Sequence, residues 1–231
     1  MAKMNLPNKL TVLRMCLVPI ILIVGFIPAH GLWHYISCVI CAALFIGASV
    51  TDMLDGKIAR RDNLITDFGK FMDPVADKFM VIGAMFVLLH KFRHTSLYLA
   101  ILFSLIIIVF RELAVTSIRL VATSGSGVVL AANYLGKLKT VSQIVAISTI
   151  FLEPVLQYVI KVVIEAVSGD KLFWRTDTVP LSWITLIFSV VMTIWSGLNY
   201  LVPSRDSRAR TRSPSPRAWR PDFPGAAREA P

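Results

Sequence analysis

The chain has 231 residues, of which 55% are hydrophobic and only 16% charged, and its net charge is +10 at neutral pH. That balance excludes an ordinary soluble domain and fits a polytopic membrane protein. Cys16, Cys38 and Cys41 all sit in apolar runs, and the C-x-x-C of Cys38 and Cys41 has no second pair or nearby histidine to complete a zinc site. Small apolar packing is the expected role of these cysteines, and no disulfide framework is implied.

The chain opens with MAKMNLPNKLTVLR. Pro7 suits a helix start, and Asn5 or Asn8 suits a cap. Lys3, Lys9 and Arg14 precede an apolar run, which places the N-terminus in the cytoplasm. Span one is expected from about Leu10 to Ile27. It lacks a small-residue cleavage site and reads as a retained span rather than a signal peptide. Span two is expected from about Leu32 to Val50. Both are close to the ~20 residues a bilayer needs. His30 and His34 flank the loop between them, and Trp33 and Tyr35 fit an aromatic belt.

Span two runs into TDMLDGKIARRDNLITDFGKFMDPVADK, residues 51–78. Asp52 and Asp55 are spaced i, i+3; Asp73 and Asp77 are spaced i, i+4. On helices each pair shares a face. Carboxylate oxygens are the usual ligands of hard divalent cations, and four of them on two facing helix ends would hold two ions suited to phosphoryl displacement. Gly56 lets a bulky group approach the backbone, and Arg60 offers a planar fork for phosphate. The alternative is a solvated loop whose acids pair with Lys57, Arg60, Arg61, Lys70 and Lys78. Four acids interleaved with two glycines beside a bilayer favour the metal site. Asn63 to Phe68 is expected to be a turn, with a bend at Gly69. Span three is expected from about Asp73 to Leu89, with Pro74 in its first turn.

His90 to His94 reads as a short external turn. Span four, about Leu97 to Val121, carries Arg111, Glu112 and Arg119. Arg111 and Arg119 share a face, and charges in an apolar helix must line a polar cavity or pair. Ser124 to Asn133 is a loop. Span five starts at YLGKLKTVSQ and ends around Val163, with a kink expected at Pro154. Lys137 and Lys139 stand at its start, and with Arg111 and Arg119 they would form a basic pocket for a phosphate. The alternatives are packing, for an Arg111 paired with an aspartate, and ordinary positive-inside placement for the lysines. Ser168 to Val179 reads as an external loop, and span six runs from about Leu181 to Leu201. Residues 204–231 are rich in Arg, Ser and Pro and read as a disordered basic tail attracted to anionic headgroups. The expected architecture is all-α: a membrane domain over 1–203 with six transmembrane helices, both termini cytoplasmic, followed by the tail. No nucleic-acid partner is expected.

The spacing D-x2-D-G-x2-A-R-x8-G-x3-D-x3-D is met by Asp52, Asp55, Gly56, Ala59, Arg60, Gly69, Asp73 and Asp77. It resembles the signature of the CDP-alcohol phosphatidyltransferase family, and the likeness covers roughly Asn5 to Val202. The resemblance implies that Asp52, Asp55 and Asp73 bind metal, two magnesium ions with manganese as the substitute. It implies that Asp77 also approaches the metals and takes the proton of the attacking alcohol. Gly56 and Arg60 would contact CDP, and Thr66 the nucleotide. The stretches NLPNKLTVLR, R-E-x6-R and G-K-x-K-T resemble the family's bacterial phosphatidylglycerophosphate synthases. That likeness implies Asn8 and Thr11 near the nucleotide, CDP-diacylglycerol and glycerol 3-phosphate as substrates, a homodimer, and a cytoplasm-facing site in the cell membrane. The same chemistry on inositol phosphate, serine or phosphatidylglycerol is the nearest alternative. A cation transporter is the alternative of another class, and it would need acids near mid-bilayer in several spans.

Overall fold

The computed structural model describes residues 6–28, 30–61, 67–125, 134–168 and 179–201, with backbone alone at 6–7, 55–61, 67–68, 70, 119–125 and 200–201. The described residues form six helices: α1 (Leu6–Phe26), α2 (Leu32–Arg61), α3 (Asp67–Lys91), α4 (Leu97–Gly125), α5 (Tyr134–Ser168) and α6 (Pro180–Leu201). Among the described residues there is no strand. The all-α, six-helix reading therefore holds.

Several local expectations change. α2 runs past Val50 to Arg61. Asp67 and Phe68 of the expected turn are helical, and the rest of that turn lies outside the described residues. α3 begins at Asp67 rather than Asp73, so Gly69 lies inside the helix and makes no bend. The only described glycine with positive φ is Gly31, at 59°, in the tight α1–α2 connection, where a side chain would be strained. Pro74 lies within α3 beyond its first turn, and costs the helix one backbone hydrogen bond there. Pro154 lies within α5, which continues past Val163 to Ser168.

Among the described residues, five helices are long and apolar enough to cross a membrane, within Asn8–Phe26, Leu32–Leu54, Leu97–Ile118, Tyr134–Ser168 and Pro180–Asn199. α3 differs because its first half carries Asp67, Lys70, Asp73, Asp77 and Lys78. It packs against α1, α2, α4 and α5, so the bundle surrounds its apolar second half. Phe45, Met80, Met85, Leu88, Ile101, Ile147 and Phe151 form the core. Large apolar side chains such as Ile23, Phe103, Phe110 and Trp195 face outward, as a lipid-facing surface requires.

The α1–α3 contact is close because glycines face valines. A Cβ at Gly25 would lie 2.3 Å from Val87 Cγ1, and one at Gly83 would lie 2.9 Å from Val18 Cγ1. Small residues allow such an approach between membrane helices. Cys38 and Cys41 are buried and Cys16 exposed, all three as free thiols. Cys41 packs in the core with its thiol 3.8 Å from the Ile21 carbonyl oxygen. The packing role expected for Cys38 and Cys41 fits these positions.

Candidate active site

Successive helices alternate in direction. The start of α1, the end of α2, the start of α3, the end of α4, the start of α5 and the end of α6 therefore meet at one end of the bundle. Side-chain bonds tie these ends together. From α1, Thr11 Oγ1 donates to Asp73 Oδ1 at 2.6 Å. Arg14 Nη1 lies 2.8 Å from Asp52 Oδ1 and donates to Asp77 Oδ1 at 3.1 Å. Asp52 and Asp77 thus converge from α2 and α3 on one guanidinium nitrogen. Arg14 is 1% exposed, whereas the two carboxylates keep 35% and 47% of their side-chain surface. The cation is sealed behind them and the acids face outward, toward whatever enters the site.

Asn8, Thr11 and Arg14 are all buried and are spaced i, i+3, i+6, so one face of α1 carries them. Sequence reasoning placed Asn8 and Thr11 near the site by resemblance and treated Arg14 only as a membrane-edge charge. The repeated spacing was the signal that would have added Arg14.

The cations form a second group at the same end. Arg111 Nη1 donates to Glu112 Oε1 at 3.0 Å, and Arg111 Nη2 to Ser196 Oγ on α6 at 2.7 Å. Lys139, buried on α5, donates to the same Glu112 oxygen. Lys78 Nζ, one residue after Asp77, donates to Thr116 Oγ1 on α4 at 2.7 Å. Arg111 thus pairs with its neighbour Glu112 among the described residues. Glu112, which sequence reasoning gave no role, ties two of the expected pocket residues together. Lys137 is exposed at the start of α5. The side chains of Asp55, Arg60 and Arg119, the backbone position of Gly56 apart, and all of Thr66, lie outside the described residues. Gly56 itself lies in the last turns of α2.

A buried acid also escaped the sequence reading. Glu153 of α5 accepts from the Leu181 N–H at 3.0 Å, from the Ser182 N–H at 2.6 Å and from the Ser182 hydroxyl. It caps the N-terminus of α6 across space, a favourable place for a carboxylate. This is the opposite end of the bundle.

Among the described residues no three carboxylate, histidine or cysteine side chains close into a cation cage. Asp52 and Asp77 nonetheless already share one cationic centre, and Asp73 stands one turn from Asp77 on α3. An all-oxygen donor set is what hard divalent ions take, so the residues fit such an ion.

The fold and this site define a multi-pass membrane enzyme with acids and bases gathered at one end of a helical bundle. Residues 4–195 match the family model of CDP-alcohol phosphatidyltransferase, and the chain belongs to that family. Its members are metal-dependent transferases. The chain is 43% identical over 157 residues to a Bacillus subtilis protein named CDP-diacylglycerol–glycerol-3-phosphate 3-phosphatidyltransferase, covering 64% of this chain and 77% of that one. It is similar to proteins of the same name from Haemophilus influenzae, at 32% over 208 residues with 89% and 96% covered, and from Escherichia coli K12, at 33% over 204 residues with 87% and 95% covered.

Proposed function

We propose that this chain transfers the phosphatidyl group of CDP-diacylglycerol to sn-glycerol 3-phosphate, giving phosphatidylglycerophosphate and CMP in phospholipid synthesis. The observation that carries the proposal is the convergence of Asp52, Asp73 and Asp77 with Thr11 and Arg14, at the end of the bundle that also holds Arg111, Lys139 and Glu112.

Asp77 takes the proton of the primary hydroxyl of glycerol 3-phosphate. The oxygen so activated forms a bond to the phosphorus that carries the diacylglycerol. The bond from that phosphorus to the CMP oxygen breaks, and CMP leaves with the electron pair. Arg14 holds the Asp77 carboxylate in place from behind, and Thr11 does the same for Asp73. Asp52, Asp55, Asp73 and Asp77 would hold two magnesium ions, with manganese as a substitute. Such ions neutralise charge on the attacking and leaving oxygens. Asn8, Gly56, Arg60 and Thr66 complete the nucleotide side in this reading. Arg111, Arg119, Lys137 and Lys139 complete the side that takes the acceptor phosphate.

The site faces the cytoplasm in this proposal, as the charge bias of the connecting segments suggests. A homodimer is part of it, on the family resemblance, and the tail at 204–231, which lies outside the described residues, has no catalytic part. An ion path would need acids along the spans. Glu153, the buried acid at the far end, instead spends both oxygens on capping α6.

The test is CMP release by the purified protein with CDP-diacylglycerol, magnesium and a panel of acceptors. Glycerol 3-phosphate is expected to give the highest kcat/KM. Faster release with inositol phosphate, serine or phosphatidylglycerol would overturn the acceptor assignment, and no release with any of them would overturn the reaction.

A further inference from the structure

A cavity of about 130 Å³, its walls polar and apolar in similar part, opens at the end of the bundle opposite the acids. His34 and Tyr35 of α2, Lys91 at the end of α3, Phe92 and Thr95 of the α3–α4 turn, and Pro154 of α5 line it. Lys91 is its cation. The Lys91 ammonium is partly buried and donates to Ser37 Oγ at 2.6 Å, a neutral oxygen that itself donates to the His34 carbonyl. No ion pair forms at Lys91 among the described residues. A charge removed from water without a counter-charge is costly, and an ammonium with one neutral partner keeps two donors to offer.

The surroundings sharpen this. The sequence has no Asp or Glu before Asp52 and none between Asp77 and Glu112. Every charge that α1, α2, α3 and α4 bring to this end is therefore positive or a histidine: His30, His34, His90, Lys91, Arg93 and His94. Of the acids on α5, Glu153 is committed to the α6 N-terminus, and Glu165 stands 3.9 Å from Lys161. Among the described residues the cavity thus has a cation and no acid in its wall; Asp170 and Asp177 of the α5–α6 connection, which ends at the lining residue Val179, lie outside them.

Its size and level indicate which anion. At ~30 Å³ of liquid volume per water, the space holds about four waters, or one phosphate group with its oxygens hydrogen-bonded. It lies where α2 and α4 begin and α3 ends, beside the outward-facing Leu32 and Trp33. Interfacial tryptophans mark the headgroup level of a bilayer. We propose that this cavity is a binding site for a phosphate group, with Lys91 as its cation, on the face of the protein remote from the active site. The source is the headgroup of an anionic phospholipid or free phosphate. The inference does not depend on the proposed reaction.

The test uses the full chain in detergent, titrated with short-chain phosphatidylglycerol or with inorganic phosphate and read by native mass spectrometry. The parent is expected to retain one phosphatidylglycerol whose affinity falls about tenfold in Lys91→Gln and stays within about threefold in Lys91→Arg, since tenfold is ~1.4 kcal/mol and matches loss of one charge-assisted contact. Inorganic phosphate with the same dependence on Lys91 supports the site and makes the phosphate group its sole ligand. Phosphate without effect makes the lipid the source. A parent that retains neither ligand, or a Lys91→Gln protein that binds like the parent, overturns the proposal. Should Lys91→Gln fail to fold, amine acylation of the parent decides. Phosphatidylglycerol should protect Lys91 and leave Lys161 reactive, and unchanged Lys91 labelling at saturating lipid overturns the assignment.

Discussion

Replacing Arg14 by methionine keeps the length and apolar volume of the stem and removes the guanidinium. In the parent one nitrogen holds Asp52 at 2.8 Å and Asp77 at 3.1 Å. A charge-assisted hydrogen bond contributes about 1.5–3 kcal/mol when buried, and an exposed ion pair about 0–1 kcal/mol. Here the arginine is 1% exposed but the acids are 35% and 47% exposed, so each contact falls between these limits. Together they are worth about 2–3 kcal/mol, or roughly 30- to 150-fold on an equilibrium or rate. We expect most of this loss in turnover, because Asp77 loses the contact that fixes its carboxylate, while the KM for CDP-diacylglycerol moves less than about threefold. Arg14→Lys restores the charge without the planar fork and should recover only part of the rate. The assay is CMP release at saturating acceptor, with circular dichroism to show that the helices persist. Parental kcat in a folded Arg14→Met protein would refute the reasoning, because the arginine would then be a packing residue only.

Asp77→Asn should retain CDP binding and lose about a hundred- to ten-thousand-fold in kcat, the usual worth of a general base, since an amide does not accept the proton at neutral pH. Asp52→Asn should instead weaken magnesium and CDP binding together by calorimetry; equal binding in both variants would sink the division of roles. Gly25→Ala would place a Cβ 2.3 Å from the stiff Val87 side chain, so the thermal midpoint in detergent should drop by the equivalent of about 1–3 kcal/mol. Adding Val87→Ala should recover most of that loss, and no recovery would show that the close α1–α3 approach is not the cause. Glu153→Ala leaves the Leu181 and Ser182 donors without their acceptor, at about 1–3 kcal/mol per buried group. Its midpoint should fall while CMP release per folded molecule stays parental, because Glu153 lies at the other end of the bundle.

Helix number and order were legible because apolar runs of bilayer length are a strong signal, and the ends of α1, α4 and α6 fall within a few residues of expectation. The start of α3 was misplaced because Gly69 and Pro74 are read locally as breakers. Packing against α1 overrides both, and the helix runs from Asp67. That Asp52, Asp73 and Asp77 meet at one end of the bundle was legible from their spacing. Arg14 was not, because a lone arginine near an N-terminus looks like an orientation signal until a partner helix brings Asp52 and Asp77 to it. Glu153 was hidden for the same reason: its partners, Leu181 and Ser182, are distant in sequence and adjacent only after α5 and α6 pack.

The second group of charges has a consequence for acceptor choice. Arg111 and Lys139 come from two helices and would repel each other if brought together alone. Glu112 lies between them and pairs with both. The three side chains together carry one net positive charge, not two. A dianionic phosphate therefore needs a further cation close by. In the proposed pocket Lys78 would take that part: it follows Asp77 on α3, reaches α4 through a neutral hydroxyl, and pairs with no acid among the described residues. Exposed Lys137 precedes Lys139 by two residues, about half a turn, at the start of α5. The geometry thus divides the labour. Glu112 holds Arg111 and Lys139 together across α4 and α5, and in the proposed pocket Lys78 and Lys137 would supply the charge that this set lacks. In the proposed reaction a phosphate anchored there would stand on the α4 side of Asp77, leaving the hydroxyl at the far end of its three-carbon chain to reach the carboxylate beside Arg14.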